Sequence, residues 1–196
     1  MAALDDALRH AVDPVSTPHE RAPDGIRAAA VLMLFDVRDP SLPLLFLERT
    51  GHLRHHAGQI GFPGGVSEAD DHSVVDTALR EAHEEAGIPA DAVEVIGMLP
   101  PFMTATSDRW LTPVVGLQST PITLVPDSFE VARLFSLSLT DLASAPHEVR
   151  HLTRDGTGRD VHFYTVDSNV VWGVTGAILH ELLQRLERVG SSAVQR

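Results

Sequence analysis

The chain has 196 residues, 43% of them hydrophobic, and no cysteine. One domain of this length buries most of its apolar surface without disulfides, and zinc–thiolate sites and cysteine nucleophiles are excluded. Net charge is −12, and all 15 Lys+Arg residues are arginines, so the surface repels a nucleic-acid backbone and long DNA or RNA is not an expected partner, while a small anion bound through the planar arginine fork stays open.

In chain order, residues 2–12 read as a short amphipathic helix, followed by an irregular Pro-rich approach, DPVSTPHERAPDG. The opening lacks the basic start and apolar run of a signal peptide, and the longest apolar run, 28–35, is far short of the roughly 20 residues that cross a bilayer. A cytoplasmic protein with no membrane partner is the expectation. Residues 27–37 (RAAAVLMLFDV) and 44–49 (LLFLER) are strand-length runs separated by the turn signal RDPSLP, which predicts a hairpin. Residues 50–65, rich in Gly and His, predict a loop ending in FPGG. Residues 73–86 carry a helical pattern, with Ser73 and Asp76 as a start signal and Gly87 followed by Pro89 as a stop.

Beyond this helix, 92–99 (AVEVIGML) and 111–117 (LTPVVGL) read as strands flanking the loop PPFMTATSDRW, and 131–137, 149–152, 161–166 and 170–172 are further strands. An amphipathic helix over 175–189 and a short polar tail close the chain. There is no repeat and no composition break. Strands outnumber helices, and the two strong helices are far apart in sequence, which predicts an α+β fold or a layered α/β/α fold around a mixed sheet.

The stretch REAHEEAGI, residues 80–88, concentrates three glutamates and an arginine in one helix. At about 100° per residue, Val75, Ala78, Leu79, Ala82 and Ala86 share one stripe, and Glu81, Glu84 and Glu85 cluster away from it. An ordinary solvated face satisfies that pattern. Against it, Glu81 and Glu85 stand at i and i+4 with no lysine between them, a spacing at which like charges cost roughly 0.2–0.5 kcal/mol. All three also lie near the helix's negative end, which disfavours anions by roughly 0.3–1 kcal/mol. A hard divalent cation reverses both signs, and oxygen ligands at these spacings can converge on one or two such ions. The helix alone leaves both readings open. Upstream, Gly64 and Gly65 allow close backbone approach, leaving carbonyls for a cation or amides for phosphate.

FPGG, then acids, then REAHEEAGI resembles the Nudix hydrolase box, commonly written GX5EX7REUXEEXGU with U aliphatic. Gly65, Arg80, Glu81, Ala82, Glu84, Glu85, Gly87 and Ile88 occupy matching positions. The first half departs: Arg80 follows Gly65 by fifteen positions instead of fourteen, and Glu68, Asp70 and Asp71 replace the isolated glutamate that generally supports the arginine. Which acid pairs with Arg80 is left open. A second stretch, RTGHLRHHAGQIGFPGG, is similar to the signature of the coenzyme A pyrophosphatase branch, with Arg49, Arg54, Gly58, Phe62, Pro63, Gly64 and Gly65 matching. Thr50 stands where that branch usually has serine or alanine.

The resemblance implies an α/β/α sandwich around a mixed sheet and Mg²⁺- or Mn²⁺-dependent attack of water on a diphosphate. It divides the chain into a helical and irregular lead-in (1–24), a Nudix hydrolase domain (25–190) and a flexible tail (191–196). It implies metal ligands at Glu81, Glu84, Glu85 and the Gly65 carbonyl, with Glu81 either a third ligand or the base and Glu130 either an alternative base or an exposed acid at a strand end. Arg80 is the box arginine. Arg49 and Arg54, with Gly64 and Gly65, are the expected phosphate-binding residues, and His55 and His56 adjoin them. The plainer alternative pairs one loop arginine with Glu48. Trp110 and Trp172 either stack on an adenine, pack in the core or lie in a partly exposed loop. The implied substrate is coenzyme A or a derivative; the alternatives are another nucleoside diphosphate derivative such as ADP-ribose or a dinucleotide, and, from another class, a non-catalytic nucleotide-sensing module. A homodimer is compatible with all of these. No GxSxG turn, HExxH helix or P-loop is present, and the histidines are scattered.

Overall fold

The computed structural model of the protein describes residues 2–17, 21–52, 57–104, 108–154 and 156–193. The elements run α1 (Ala2–Ala11), β1 (Arg27–Asp36), β2 (Pro43–Arg49), β3 (Ile60–Gly61), β4 (Gly64–Val66), α2 (Val74–Ala86), β5 (Glu94–Met98), β6 (Phe102–Met103), β7 (Arg109–Gln118), β8 (Val131–Ser138), α3 (Leu139–Ser144), β9 (His147–Arg154), β10 (Thr157–Val166), β11 (Asn169–Trp172) and α4 (Gly173–Ala193).

Among the described residues, eight strands join one mixed sheet with the path β3-β2-β1-β7-β5, and β9, β10 and β11 form a separate antiparallel sheet. β1 pairs in parallel with β7 along its whole length. On its other edge β1 is shared: β4 lies against Ala29, Ala30 and Val31, and β2 meets it at Phe35. The predicted hairpin of the first two strands is therefore antiparallel as expected but touches only at its turn end. The β4 segment, which sequence pattern assigns to loop, fills the space that the splayed strands leave.

The alternation of β1 builds two cores. Ala29, Val31, Met33 and Phe35 face α1 and α4, joining Leu8, Ile178, Leu179 and Leu182. Ala30, Leu32 and Leu34 face α2, joining Ala78, Ala82 and Ala86. The result is the expected layering of helix, mixed sheet and helices. The alanines bring α2 close to the sheet, and that closeness decides where its glutamates lie.

The helix ends follow their signals. The Ser73 hydroxyl accepts from the Asp76 amide (3.2 Å). Gly87 turns left-handed at φ 68°, its amide donating to His83 O while Ile88 N donates to Ala82 O, a left-handed glycine cap. The N-terminal helix belongs to the core: Leu8 is fully buried, and Arg185 of α4 donates to Ala11 O (3.2 Å) and Asp13 (3.1 Å). Where the tail is expected from 191, α4 continues to Ala193. No helix among the described residues is long and apolar enough to cross a membrane.

Candidate active site

Arg80 organises the acids of the box. Its Nε and Nη2 donate to the two oxygens of Asp71 (3.0 Å each), and Nη2 also reaches Val66 O (3.0 Å). Nη1 reaches Glu81 (3.0 Å) and Glu84 (3.1 Å). Of the candidate acids preceding the helix, Asp71 is thus the partner of Arg80. Its side chain is only 6% exposed, and it accepts further bonds from the Glu68 amide and the Thr77 hydroxyl (2.9 Å each). The Arg80 guanidinium, the Glu68 amide and Thr77 hold the Asp71 carboxyl well below the usual carboxylate range against the opposing effect of burial. Asp71 in turn raises Arg80.

The three glutamates are not equivalent. Glu84 is exposed, whereas Glu81 is mostly covered. Glu85, which the helical wheel sets away from the core stripe, is buried at 5% exposure. The wheel fails here because it contains no tertiary neighbour. Residues 122–130 wrap the C-terminal end of α2, with Val125 N donating to Ala86 O (2.9 Å) and Asp127 N to Glu85 O (3.0 Å). These amides satisfy carbonyls that a helix end otherwise leaves open, and so offset the negative pole on which the glutamates sit.

Two donors hold the Glu85 carboxylate: the Gly64 amide (2.8 Å) and Arg49 Nη1 (3.1 Å). Burial still dominates and pushes the Glu85 carboxyl up to about 7, opposed by Gly64 and Arg49 and reinforced by Glu81 and Glu130. Burial likewise raises Glu81, opposed by Arg80. Arg49 Nη2 reaches Glu130 (2.9 Å), so Arg49 bridges the buried helix acid and the downstream acid. Among the described residues Arg133 engages Glu48 across the β2–β8 pair (2.6 Å), and Arg49 reaches Glu85 and Glu130 instead. Arg54, His55 and His56 lie outside the described residues.

The glycines fit tightly. A Cβ on Gly64 would stand 2.3 Å from Ala30 O, and one on Gly65 would stand 2.3 Å from a carboxylate oxygen of Glu81. Gly65 therefore leaves the Glu81 carboxylate room that any side chain would fill. This cradle, and a donor set made only of carboxylate and carbonyl oxygens, fits a hard divalent cation. The carboxylates are spread by their arginines: among the described residues, three ligand atoms of separate residues come mutually within 4.8 Å only at His147, His162 and His180.

Neither tryptophan is in a loop. Trp110 is on β7, partly buried. Trp172 on β11 is 38% exposed and stacks on Phe163 (5.7 Å between centroids) on the outer face of the three-stranded sheet.

A helix–sheet–helix sandwich that presents a glycine turn against an arginine-pinned glutamate helix defines a class of diphosphate-cleaving enzymes. The NUDIX domain family matches residues 25–155. The chain is 36% identical over 188 residues to a Photorhabdus laumondii protein named Uncharacterized Nudix hydrolase NudL, covering 95% of this chain and 100% of that protein. A Yersinia pestis (strain Pestoides F) protein of the same name is 39% identical over 161 residues, covering 82% and 80%. The crystal structure of MutT protein from Methanosarcina mazei Go1 superposes with a TM-score of 0.53 at 16% identity, covering 83% of this chain and 94% of that one, a likeness of fold. The chain belongs to the Nudix family. It is a Nudix hydrolase, an enzyme of the class that acts on nucleoside diphosphate derivatives and generally uses divalent metal ions.

Proposed function

We propose that this hydrolase cleaves the diphosphate of coenzyme A or a derivative of it, giving 3′,5′-ADP and 4′-phosphopantetheine. One observation carries the reading. The segment from Arg49 to Gly65 resembles the coenzyme A pyrophosphatase signature, and residues at both its ends, Arg49 and Gly64, bond to the same buried carboxylate, Glu85. Substrate-selecting residues and cleavage residues are thereby parts of one constellation.

In this reading Glu81, Glu84, Glu85 and the Gly65 carbonyl would hold Mg²⁺ or Mn²⁺, which would supply activation of water and offset diphosphate charge. Arg80 fixes Glu81 and Glu84 while Asp71 fixes Arg80. Arg49 and Arg54 bind phosphate oxygens, Arg49 exchanging carboxylate partners for phosphate, and the backbone of Gly64 and Gly65 lines the approach while the Gly64 amide holds Glu85. Glu130, exposed on the far side of Arg49, is assigned as the base: it takes a proton from water as the water oxygen bonds to phosphorus and the bridging P–O bond breaks. Glu81 is the alternative base.

Incubating the purified chain with Mg²⁺ or Mn²⁺ and separately with coenzyme A, ADP-ribose, NADH and diadenosine polyphosphates, with products identified by mass, tests the proposal. Release of 4′-phosphopantetheine with 3′,5′-ADP, at the highest kcat/KM of the panel, is expected. Preference for ADP-ribose or a dinucleotide, or inactivity throughout, overturns it.

A further inference from the structure

The histidines that look scattered in sequence do not stay scattered. His147 faces Tyr164 across the β9–β10 ladder and His162 faces Val149, so His147 and His162 are diagonal neighbours on one face of the small sheet. His147 Nε2 and His162 Nδ1 are 2.9 Å apart. The third imidazole arrives from α4. That helix lies unusually close to β10 at Gly176, where a Cβ would stand 2.4 Å from His162 O. One turn later, on the same helix face, His180 stacks on His162 with 3.9 Å between ring centroids. A glycine inside a helix costs roughly 0.5–1 kcal/mol relative to alanine, and here it permits the approach that brings the third ring in.

The hydrogen bonds define the state of His180. Arg188 donates to Gln184 Oε1 (3.1 Å), which turns the Gln184 amide nitrogen toward His180 Nε2 (3.0 Å). An amide N–H only donates, so Nε2 accepts and the ring proton is on Nδ1, which donates to Tyr164 Oη (2.7 Å). With Nδ1 anchored to the Tyr164 oxygen, Nε2 is the nitrogen left to ligate, and an ion would take the place of the Gln184 amide at its lone pair. Burial and the neighbouring imidazoles lower His162 and His180, which favours neutral rings. A cavity of about 290 Å³, lined in part by His147, Tyr164, His180, Gln184 and Glu187, opens beside the cluster.

We propose that His147, His162 and His180 form a second metal site, on the opposite face of the sheet from the glutamate helix, for a borderline divalent transition-metal ion of the zinc or nickel kind. The three ligand atoms lie within 4.8 Å of one another. Two nitrogens at about 2.1 Å from one ion stand roughly 3.0–3.4 Å apart, close to the His147–His162 separation. His147 is exposed, and its ring would turn off its stacks on His162 and Tyr164 to aim its lone pair at a shared ion. Three imidazoles with no carboxylate among them select against Mg²⁺, which prefers hard oxygen donors. The cavity leaves the remaining coordination position to water or a small ligand. Because the ligands come from β9, β10 and α4, the ion ties the small sheet to the C-terminal helix.

The test uses the full chain stripped of metal and held in excess Mg²⁺, with Co²⁺ and Zn²⁺ as probes. One equivalent of Co²⁺ giving the visible bands of nitrogen ligation, displaced by Zn²⁺, is expected, with a rise in Tm on adding Zn²⁺. His147→Ala and His162→Ala each weaken Zn²⁺ binding by at least about 10-fold and abolish the Tm rise, because each removes a ligand. The Glu84→Gln/Glu85→Gln double variant keeps both signals. Should a histidine variant fail to fold, imidazole NMR resonances of the unsubstituted chain decide the matter, since Zn²⁺ shifts those of all three residues. Binding indifferent to the histidine substitutions, binding lost with the glutamates, or unmoved imidazole resonances overturns the proposal.

Discussion

The two faces of the central sheet hold functional groups by opposite means. On the α2 face, carboxylates are separated and aimed by arginines: Arg80 bonds to Asp71, Glu81 and Glu84, and Arg49 bonds to Glu85 and Glu130. On the α4 face, imidazoles stack and bond to one another, to Tyr164 and to Gln184. The first arrangement is charged and made almost wholly of hard oxygen donors. The second is built from nitrogen donors with little charge to disperse. One small domain thus offers two donor chemistries without either interfering with the other, because a sheet with buried side chains on both faces lies between them.

Substitutions can break that contrast, the largest effect first. Glu85→Gln should lower kcat with Mg²⁺ or Mn²⁺ by at least about 10²-fold while leaving the chain folded. Steady-state rates with circular dichroism check this, and full activity would remove Glu85 from the site. The same variant has a stability signature. An acid raised to about 7 in the folded state costs stability as pH climbs past its unfolded value near 4.3, and the cost is complete above about 7. Metal-free Glu85→Gln should therefore lack the decline in unfolding midpoint that the unsubstituted chain shows between those values.

Arg80→Ala leaves the largely buried Asp71 carboxylate without its cation and should destabilise by about 3 kcal/mol, read from urea unfolding. Gly65→Ala pushes a methyl group against the Glu81 carboxylate, the far end of a flexible side chain, and should lower kcat with little loss of stability; an unchanged kcat would mean that the cradle yields freely. The smallest effect is at acid pH. Asp71 is held below its unfolded value near 3.9, so its contribution is full above about pH 4 and is lost as pH falls. Asp71→Asn should show a flatter loss of Tm between pH 4 and 2 than the unsubstituted chain, and the two histidine substitutions should leave that slope unchanged.

What sequence reveals here depends on how far apart the cooperating residues lie. Asp71, Arg80, Glu81, Glu84 and Glu85 span fifteen positions, so spacing exposes them as a group, and Ser73 and Gly87 mark the ends of the helix that carries them. The burial of Glu85 was not legible, because the strap over residues 122–130 that covers it has no periodicity to announce the contact. Pairing of Arg49 with Glu85 rather than with its neighbour Glu48 likewise depends on Arg133, far along the chain. The short helix α3 lies below the length at which periodicity is informative. The three histidines come from β9, β10 and α4, and no motif links them. Their available signals were the strand register that sets His147 diagonal to His162 and the Gly176–His180 spacing of one helical turn.

The strand β1 has a consequence for how the molecule comes apart. Every other residue of its central run contributes to one core and the intervening ones to the other, and both of its edges are hydrogen-bonded. Neither layer of helices can detach without exposing half of this strand to water. Melting is thereby made a shared event, and the amides of Ala30 to Leu34 are those expected to exchange with solvent last.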